Sequence, residues 1–313
     1  MAGERAAGPV VLVDAGDALS GVWPSAVEQQ DRIPAERRAE FLLAQMGALG
    51  YAALAVGERE LIFPYAELAK KAAAAKVPVL AANLVDAQDK KPFPGRTMAT
   101  VGGRRVGIFA VVDGGEYERH KLRCLLPAAA AQAEADALRK QGAEIVVGLL
   151  HMSYDAALRV AGTLKGVDYL VQGHDGRPVL VQQAGAALLA GAGQRGQLVG
   201  RAVLDLKGAA PFVMIEDHAD ARVALLEQER GLKELQDRQK AATSEEEKVR
   251  LGVALGAATK RYQAAQAKAV GKVPEGRRTA TSDRVMLDAK VADAPQVKAA
   301  QDAMLQAFPD KRR

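Results

Sequence analysis

Short apolar runs and amphipathic runs alternate along residues 10–206 of this 313-residue chain. The apolar runs have the length of buried strands, and the amphipathic runs have apolar residues at helical spacing. Single strands separated by helices are typical of parallel β–α–β units. The predicted strands lie at 10–14, 52–56, 77–82, 144–150 and 168–172, and the predicted helices at 35–49, 65–76, 127–141 and 155–164.

A hairpin and three closing strands interrupt this alternation. Apolar runs at 97–101 and 105–112 flank the pair Gly102-Gly103, which predicts a β-hairpin. The hairpin and the closing strands favour a second, more antiparallel sheet, so the sequence predicts a layered α/β sandwich. The closing strands are predicted at 179–183, 187–190 and 199–206.

The composition changes near residue 219, where Ala, Glu, Lys, Arg, Gln and Leu become dominant. Ser244 and Glu247 form a capping box that starts a helix within this stretch. We therefore predict an antiparallel helical hairpin that turns around Ala242-Thr243, with one long solvated helix as the alternative. A polar linker at 271–282, a strand at 284–288 and a helix at 295–308 are expected to follow. The predicted domains are a core at 1–218, the hairpin at 219–270 and a returning segment at 271–313.

Charge and composition exclude several functional classes. The net charge is +5, but the basic residues are dispersed and aromatics are only 4%, so no nucleic-acid polymer is expected as a partner. Cys124 is the only cysteine, which excludes an internal disulfide and a thiolate metal cluster. No apolar run is long enough to predict a membrane span. No glycine-rich fingerprint predicts a dinucleotide cofactor. The first residues lack a signal-peptide pattern, which leaves a removed leader open.

Acidic and imidazole side chains follow four of the apolar runs. The candidates are Asp17, Glu58, His151 and His174. An α/β sheet gathers its ligands at the carboxyl ends of its strands, so we expect these side chains to meet. Each also has a structural interpretation when it is taken alone, as a cap, a buried histidine or a turn residue. Asp14 is interpreted as locally hydrogen-bonded rather than as a ligand.

Five short motifs occur in an order that resembles the metallophosphoesterase domain of 5′-nucleotidases, over residues 8–206. The resemblance implies a four-layer αββα sandwich of the calcineurin-like type, with two divalent metals that activate water and clamp phosphate oxygens. The motifs are Asp14-Ala15-Gly16-Asp17, Gly57-Glu58-Arg59-Glu60, Ala82-Asn83-Leu84, Leu149-Leu150-His151 and Gly173-His174-Asp175-Gly176.

The resemblance assigns roles residue by residue. Asp17 matches the bridging Asp, His151 the lone His and His174 the first His of the family's Gly-His-x-His. Glu58 and Arg59 stand where the family's Gly-Asn-His-Glu motif has Asn and the catalytic His. Gly176 stands where the family has its last ligand, and the family's Asp-x-His does not occur before Asp17. The resemblance therefore implies a degraded bimetal centre, in which one metal keeps most of its ligands.

Two hypotheses follow from this substitution pattern. In the first, Asp17, Glu58, His151 and His174 hold one zinc, manganese or iron ion, and Arg59 contacts phosphate in a slow phosphoester hydrolase. In the second, the enzyme is retired and serves as a binding or scaffolding domain without a metal. Arg59 then pairs with an acid of the former site.

The resemblance also bears on substrate, partners and location. It implies a nucleotide or another phosphate ester as substrate, although no aromatic-rich base-binding domain follows residue 206. The helical hairpin is expected either to pack within the chain or to form a weak homodimer. Family members of this kind commonly work in the periplasm or outside the cell, which is the expected location here.

Overall fold

A computed structural model describes residues 2–215, 219–242, 244–269, 275–287 and 293–308. These residues form two compact units, Met1–Gly200 with Arg284–Arg313 and Arg201–Asp283. The predicted domain boundaries at residues 218 and 270 stay a prediction.

The elements follow one another in the predicted alternation. The strands are β1 (Leu12–Asp14), β2 (Tyr51–Ala55), β3 (Val79–Leu80), β4 (Leu84–Val85), β5 (Arg96–Val101), β6 (Arg104–Val112), β7 (Arg123–Cys124), β8 (Ile145–His151), β9 (Tyr169–Gly173), β10 (Pro178–Ala184), β11 (Ala187–Ala192), β12 (Leu198–Asp205), β13 (Ala209–Met214) and β14 (Arg277–Met286). The helices are α1 (Ala2–Ala7), α2 (Arg32–Leu49), α3 (Tyr65–Ala75), α4 (Pro127–Lys140), α5 (Tyr154–Thr163), α6 (Ala219–Ala241), α7 (Glu245–Ala269) and α8 (Pro295–Ala307). Short 3₁₀ turns lie at Pro24–Ala26, Gln29–Asp31, Glu58–Ile62 and Tyr117–His120.

Two main sheets build the first unit. One is a parallel sheet in the order β1-β2-β3, and the other has six strands in the order β10-β11-β9-β8-β6-β5. The predicted hairpin is confirmed as the β5–β6 pair, in which Val101 lies opposite Arg104. The six-stranded sheet is mixed rather than mainly antiparallel, because β6, β8, β9 and β11 run parallel and only its edge strands reverse. The mixed α/β fold class is confirmed, and the four-layer stacking stays a prediction.

Small residues let helices and strands approach closely in this core. A Cβ on Gly47 in α2 would lie 2.0 Å from the Ala75 carbonyl oxygen at the end of α3. A Cβ on Gly107 in β6 would lie 2.8 Å from Leu138 in α4. Alanine and leucine are the commonest buried apolar residues of this core, and few aromatic rings are buried among them. One apolar cluster joins α4 and α5 to the six-stranded sheet, and another joins α2 and α3 to the three-stranded sheet.

The second unit combines a small sheet with two helices. The sheet order is β12-β14-β13, and α6 and α7 pack against each other as in the predicted hairpin. The Ser244 hydroxyl accepts a hydrogen bond from the Glu247 amide at 3.2 Å, as the capping box predicts. Thr243 lies outside the described residues.

The predicted polar linker at 271–282 is wrong for residues 277–282, which belong to β14. Thr279 and Ala280 are buried in this strand, and the Arg278 guanidinium lies 5.8 Å from the centroid of the Phe212 ring. The Arg278 guanidinium therefore lies over an aromatic ring, and the burial of Thr279 and Ala280 shows that this polar stretch belongs to the folded sheet. Residues 271–274 and 288 lie outside the described residues.

The described helices include none with the length and apolarity needed to cross a membrane.

Candidate metal centre

Four side chains that the sequence marks as candidate ligands lie together at the ends of four strands. Asp17 follows β1 and Glu58 follows β2 in the three-stranded sheet, whereas His151 ends β8 and His174 follows β9 in the six-stranded sheet. One ligand atom from each lies within 4.8 Å of every other. Opposite ligands of a first-row divalent ion stand about 4 Å apart, since the bonds to nitrogen and oxygen are about 2.1 Å long. The cluster therefore has the size of a single-ion site, and its metal binding stays a prediction.

His151 is fully buried and both ring nitrogens are engaged. Nδ1 lies 2.7 Å from the Ala15 carbonyl oxygen, and Nε2 lies 2.7 Å from Glu58 Oε2. A carbonyl oxygen only accepts hydrogen bonds, so Nδ1 carries a proton and donates it. Nε2 then faces a carboxylate oxygen, and this contact is attractive only with a proton or a metal cation between the two atoms.

The proton fills that role when no metal is bound. Burial lowers the pKa of His151, but the hydrogen bond with Glu58 and the charge of Asp17 outweigh burial and raise the pKa to about 9. Burial likewise raises the pKa of Glu58, and the hydrogen bonds from His151 and His174 outweigh it and hold that pKa well below the usual range. The metal-free pair is therefore an imidazolium and a carboxylate at neutral pH.

Glu58 has an oxygen to spare. The side chain is fully buried, and within the described part of the chain Oε1 has no hydrogen-bond partner. A Cβ on Gly115 would lie 1.7 Å from this oxygen, and Gly115 has a φ of +81°. A buried carboxylate oxygen without a partner costs free energy unless a donor or a cation satisfies it. Because Gly115 has no side chain, it leaves room for the Glu58 carboxylate.

Asp17 has a left-handed backbone, with a φ of 65°. The Glu60 carboxylate, which is fully buried, accepts hydrogen bonds from the amides of Asp17, Ala18 and Leu19 at 2.7, 2.7 and 3.1 Å. It also accepts one from the Gly57 amide at 2.7 Å. Burial and the charge of Asp17 raise the pKa of Glu60 to about 7, although the amide donors act in the opposite direction. Glu60 thus links the turn after β1 to the turn after β2.

Arg59 lies on the solvent side of the cluster. Its amide donates to Asp17 Oδ1 at 3.0 Å, and its Nε lies 3.4 Å from Asp17 Oδ2. The guanidinium carbon is 5.6 Å from the centroid of the Trp23 ring, and the Trp23 ring also meets His174 edge to face at 6.4 Å. The arginine side chain is 28% exposed, so it reaches both the acid cluster and the solvent.

The turn that carries His174 is held by its neighbour. His174 has a φ of 100°, and its Nδ1 lies 3.3 Å from His151 Nε2. Asp175 accepts hydrogen bonds from the Gln172 side chain at 2.9 Å and from the Tyr154 amide at 2.8 Å. Gly176, at the position of the family's last ligand, has a φ of +66°, and a Cβ there would lie 2.9 Å from Gln194 Oε1. Glycine at residue 176 supplies no ligand side chain.

Two other residues of the sequence motifs have structural roles. Asp14 Oδ1 accepts a hydrogen bond from the Gly16 amide at 3.0 Å, which agrees with the local role predicted for it, and burial raises its pKa to about 6. Asn83 is fully buried, donates to the carbonyls of Val112 and Leu125, and accepts from the Val112 amide. Its side-chain amide thus joins the end of β6 to the residue that follows β7.

Sequence reasoning missed Glu60 and Trp23. A signal for Glu60 was available, because it is the residue of the family's Gly-Asn-His-Glu motif that this chain retains besides the glycine. Trp23 is the only tryptophan in the chain and stands shortly after Asp17, but no spacing rule links a loop residue to the strand ends.

The donor set fits one borderline divalent ion. Two imidazoles and two carboxylates suit zinc, manganese or iron, and the two negative charges balance the cation. A ligand histidine usually donates its other ring N–H to a carbonyl or a carboxylate, and His151 does so to Ala15. Glu58 Oε1 offers a free acceptor. Within the described residues this is the one cluster of three or more such side chains with metal-binding proximity.

The fold is that of the calcineurin-like phosphoesterases. The structure of the calcineurin-like phosphoesterase YfkN from Bacillus subtilis superposes with a TM-score of 0.63 and 14% identity, over 98% of this chain and 86% of that one. The sulfate thiohydrolase SoxB of Thermus thermophilus superposes with a TM-score of 0.53 and 19% identity, over 64% of this chain and 37% of that one. These likenesses show the fold.

The sequence is similar to that of a 5′-nucleotidase. A 5′-nucleotidase of Diplobatis ommata is 28% identical over 185 residues, which cover 53% of this chain and 29% of that protein. The predicted resemblance to 5′-nucleotidase-type metallophosphoesterases is thereby confirmed. The chain matches less than a third of the length of this curated relative. No family model matches the chain.

Proposed function

We propose that the chain is a single-metal phosphoester hydrolase of the 5′-nucleotidase type with a degraded bimetal centre. Asp17, Glu58, His151 and His174 hold one zinc, manganese or iron ion. The observation that carries the proposal is the buried Glu58–His151 pair. Its facing atoms require a proton or a metal cation between them, and Glu58 Oε1 has no hydrogen-bond partner within the described residues. A divalent ion held there would supply Lewis acidity and would lower the pKa of a water bound to it to near neutrality.

Arg59 binds the phosphate in this proposal. Its guanidinium lies beside Asp17 and reaches solvent, which is where an anion would arrive. The planar fork of donors matches two phosphate oxygens. Arginine stays protonated at neutral pH, so Arg59 orients the ester and stabilises negative charge but transfers no proton.

Hydrolysis is expected to be slow because one of the two ions that the family uses, its first metal, lacks ligands in this chain. Gly176 carries no side chain, and its left-handed backbone lies against Gln194. Of the residues that the family uses for the first metal, this chain retains Asp17 alone. A two-metal site stabilises both the attacking and the leaving oxygen, and a single ion leaves one of these without support.

Metal analysis tests the proposal. Protein stripped with a chelator is titrated separately with zinc, manganese and ferrous iron, and bound metal is measured after gel filtration. The wild type is expected to retain one ion per chain, His174→Gln to lose it, and His120→Gln, outside the cluster, to retain it. A wild type that binds none of the three ions would refute the proposal, as would His174→Gln binding like the wild type.

Activity is measured on the same samples with an aryl phosphate and with nucleoside monophosphates. We expect metal-dependent phosphate release that His174→Gln abolishes and His120→Gln preserves. The resemblance favours a nucleotide or another phosphate ester as substrate and a periplasmic or extracellular location. Release that does not depend on added metal would contradict the single-metal mechanism.

A retired enzyme is the second candidate, and one observation favours it. Arg59 already pairs with Asp17, and its fixed cation neutralises an acid of the cluster without chemistry. The double variant Glu58→Asn with Arg59→His distinguishes the retired enzyme from the single-metal hydrolase. If this variant binds metal and the parent does not, the parent is a retired site. If the parent binds metal, the retired alternative is excluded.

A further inference from the structure

The buried Glu60 carboxylate contacts four backbone amides from two separate turns. Oε1 accepts from Ala18 and Leu19, and Oε2 accepts from Asp17 and Gly57. Both oxygens are therefore occupied by protein donors. Glu60 offers no free acceptor to a metal, so its role differs from that of Glu58, whose Oε1 has no partner among the described residues.

The three consecutive amides lie in a turn that needs support. Asp17 has a φ of 65°, a left-handed conformation that glycine adopts freely and that aspartate and asparagine adopt only occasionally, as single residues. Such a backbone persists only when its surroundings fix it. Hydrogen bonds from amides to a carboxylate are stronger than bonds between neutral groups, and Glu60 provides three of them to this turn.

The conformation of this turn decides where the Asp17 carboxylate points. With the turn fixed, Asp17 Oδ1 lies 3.7 Å from His151 Nε2 and accepts the Arg59 amide at 3.0 Å. The amide of Gly57, the residue before Glu58, binds the same Glu60 carboxylate. One buried side chain thus sets the separation of the two acidic ligands.

We infer that Glu60 is a positioning residue that holds Asp17 and Glu58 in register for metal binding without touching the metal. The inference deepens the proposed function and rests on it for the metal. The position requires a full-length carboxylate. Glutamine presents an NH₂ group to two of the amides in place of an acceptor, and aspartate is one methylene too short to reach both turns.

Glu60→Gln is compared with Glu60→Asp and with Glu134→Gln. Glu134 is also a buried carboxylate, but it pairs with Arg96 and lies outside the cluster. The control therefore reports the general cost of removing a buried acid. Each protein is studied at a temperature at which circular dichroism shows it folded, and Glu60→Asp serves if Glu60→Gln does not fold.

Two readouts separate positioning from general stability. Amide hydrogen exchange of residues 17, 18, 19 and 57 is measured on metal-free protein, and zinc affinity is measured by competition with a chelator. Glu60→Gln is expected to lose at least about tenfold protection at these four amides. We expect its zinc affinity to fall by about 10–100-fold, the usual range for loss of a group that supports metal ligands. Glu60→Asp should bind zinc more tightly than Glu60→Gln, and Glu134→Gln should match the wild type in both readouts.

Wild-type protection and wild-type zinc affinity in Glu60→Gln would overturn the inference. Equal losses in Glu134→Gln would also overturn it, because the effect would then be a general loss of stability. A wild type without zinc affinity refutes the proposed function, whereas the exchange data still decide whether Glu60 holds the turn.

Discussion

The glycine pair at residues 114 and 115 provides a matched test of the cluster. Both glycines have left-handed backbones, with φ values of +76° and +81°. Alanine in this conformation costs about 1–2 kcal/mol at either position. The two sites differ in their neighbours, because a Cβ on Gly114 meets nothing within 4 Å, whereas a Cβ on Gly115 would lie 1.7 Å from Glu58 Oε1.

The methyl group of Gly115→Ala therefore displaces Glu58. A Cβ 2.5 Å from Glu58 Cδ is also far inside contact distance, so the whole carboxylate must turn away. Its movement breaks the 2.7 Å bond with His151, which is worth about 1.5–3 kcal/mol as a hydrogen bond to a charged group. We expect Gly115→Ala to be less stable than Gly114→Ala by about this amount.

The effect on metal binding should be larger than the effect on stability, since the displaced group is a proposed ligand. Zinc affinity is expected to fall by at least about 10–100-fold in Gly115→Ala, the range known for disturbing only the groups that support a ligand. Calorimetry of the metal-free proteins measures the first difference, and zinc competition measures the second. If Gly115→Ala equals Gly114→Ala in both, Glu58 does not occupy the position described and the cluster geometry is refuted.

Three further outcomes are expected. Arg59→Gln should bind zinc about five- to tenfold more tightly at low salt, because the positive charge of Arg59, beside the proposed ligand Asp17, repels a divalent ion by about 1 kcal/mol in a water-like dielectric. The variant should also lose affinity for inorganic phosphate, and unchanged zinc affinity would contradict the placement of Arg59. Zinc or cobalt should change the emission of Trp23, the only tryptophan, since its ring meets His174; a metal-loaded protein with unaltered emission would contradict this contact. Stability of the metal-free protein should fall by about 3 kcal/mol between pH 6.5 and pH 9. A group whose pKa is raised on folding contributes its full stabilisation of the folded state below its unfolded pKa. His151 loses that contribution as the pH rises through about 9. His151→Gln should flatten the dependence of stability on pH, as measured by urea titrations.

The sequence predicted the buried strands and helices of the first unit because burial gives them a recognisable local run of apolar residues. All seven residues of β8 are buried, so an uninterrupted apolar run marks it within one residue of its observed start and end. The left-handed Gly50 follows α2, which ends at Leu49 as the predicted helix at 35–49 does. β14 was missed in its first half, because its polar residues are typical of a solvated linker, although Arg278 lies over the Phe212 ring and Thr279 is buried.

The sequence predicted which side chains of the candidate site lie together, but not the hydrogen bonds that hold the turns carrying them. The ends of parallel strands meet at one edge, so Asp17, Glu58, His151 and His174 were expected to be neighbours. Glu60 is different, because the amides that bind its buried carboxylate lie more than forty positions away in the sequence. From the local pattern alone, an acidic residue after a strand is expected to be exposed to solvent. Long-range hydrogen bonds of this kind leave no local period in a sequence.

The cluster draws its side chains from both main sheets, two from the three-stranded sheet and two from the six-stranded sheet. An ion held there would tie the sheets together as a staple does, in a chain whose only cysteine leaves it without an internal disulfide. Resistance to proteases should then depend on the ion. Removal of the ion by a chelator should make the protein sensitive to proteases, whether or not the site has catalytic activity.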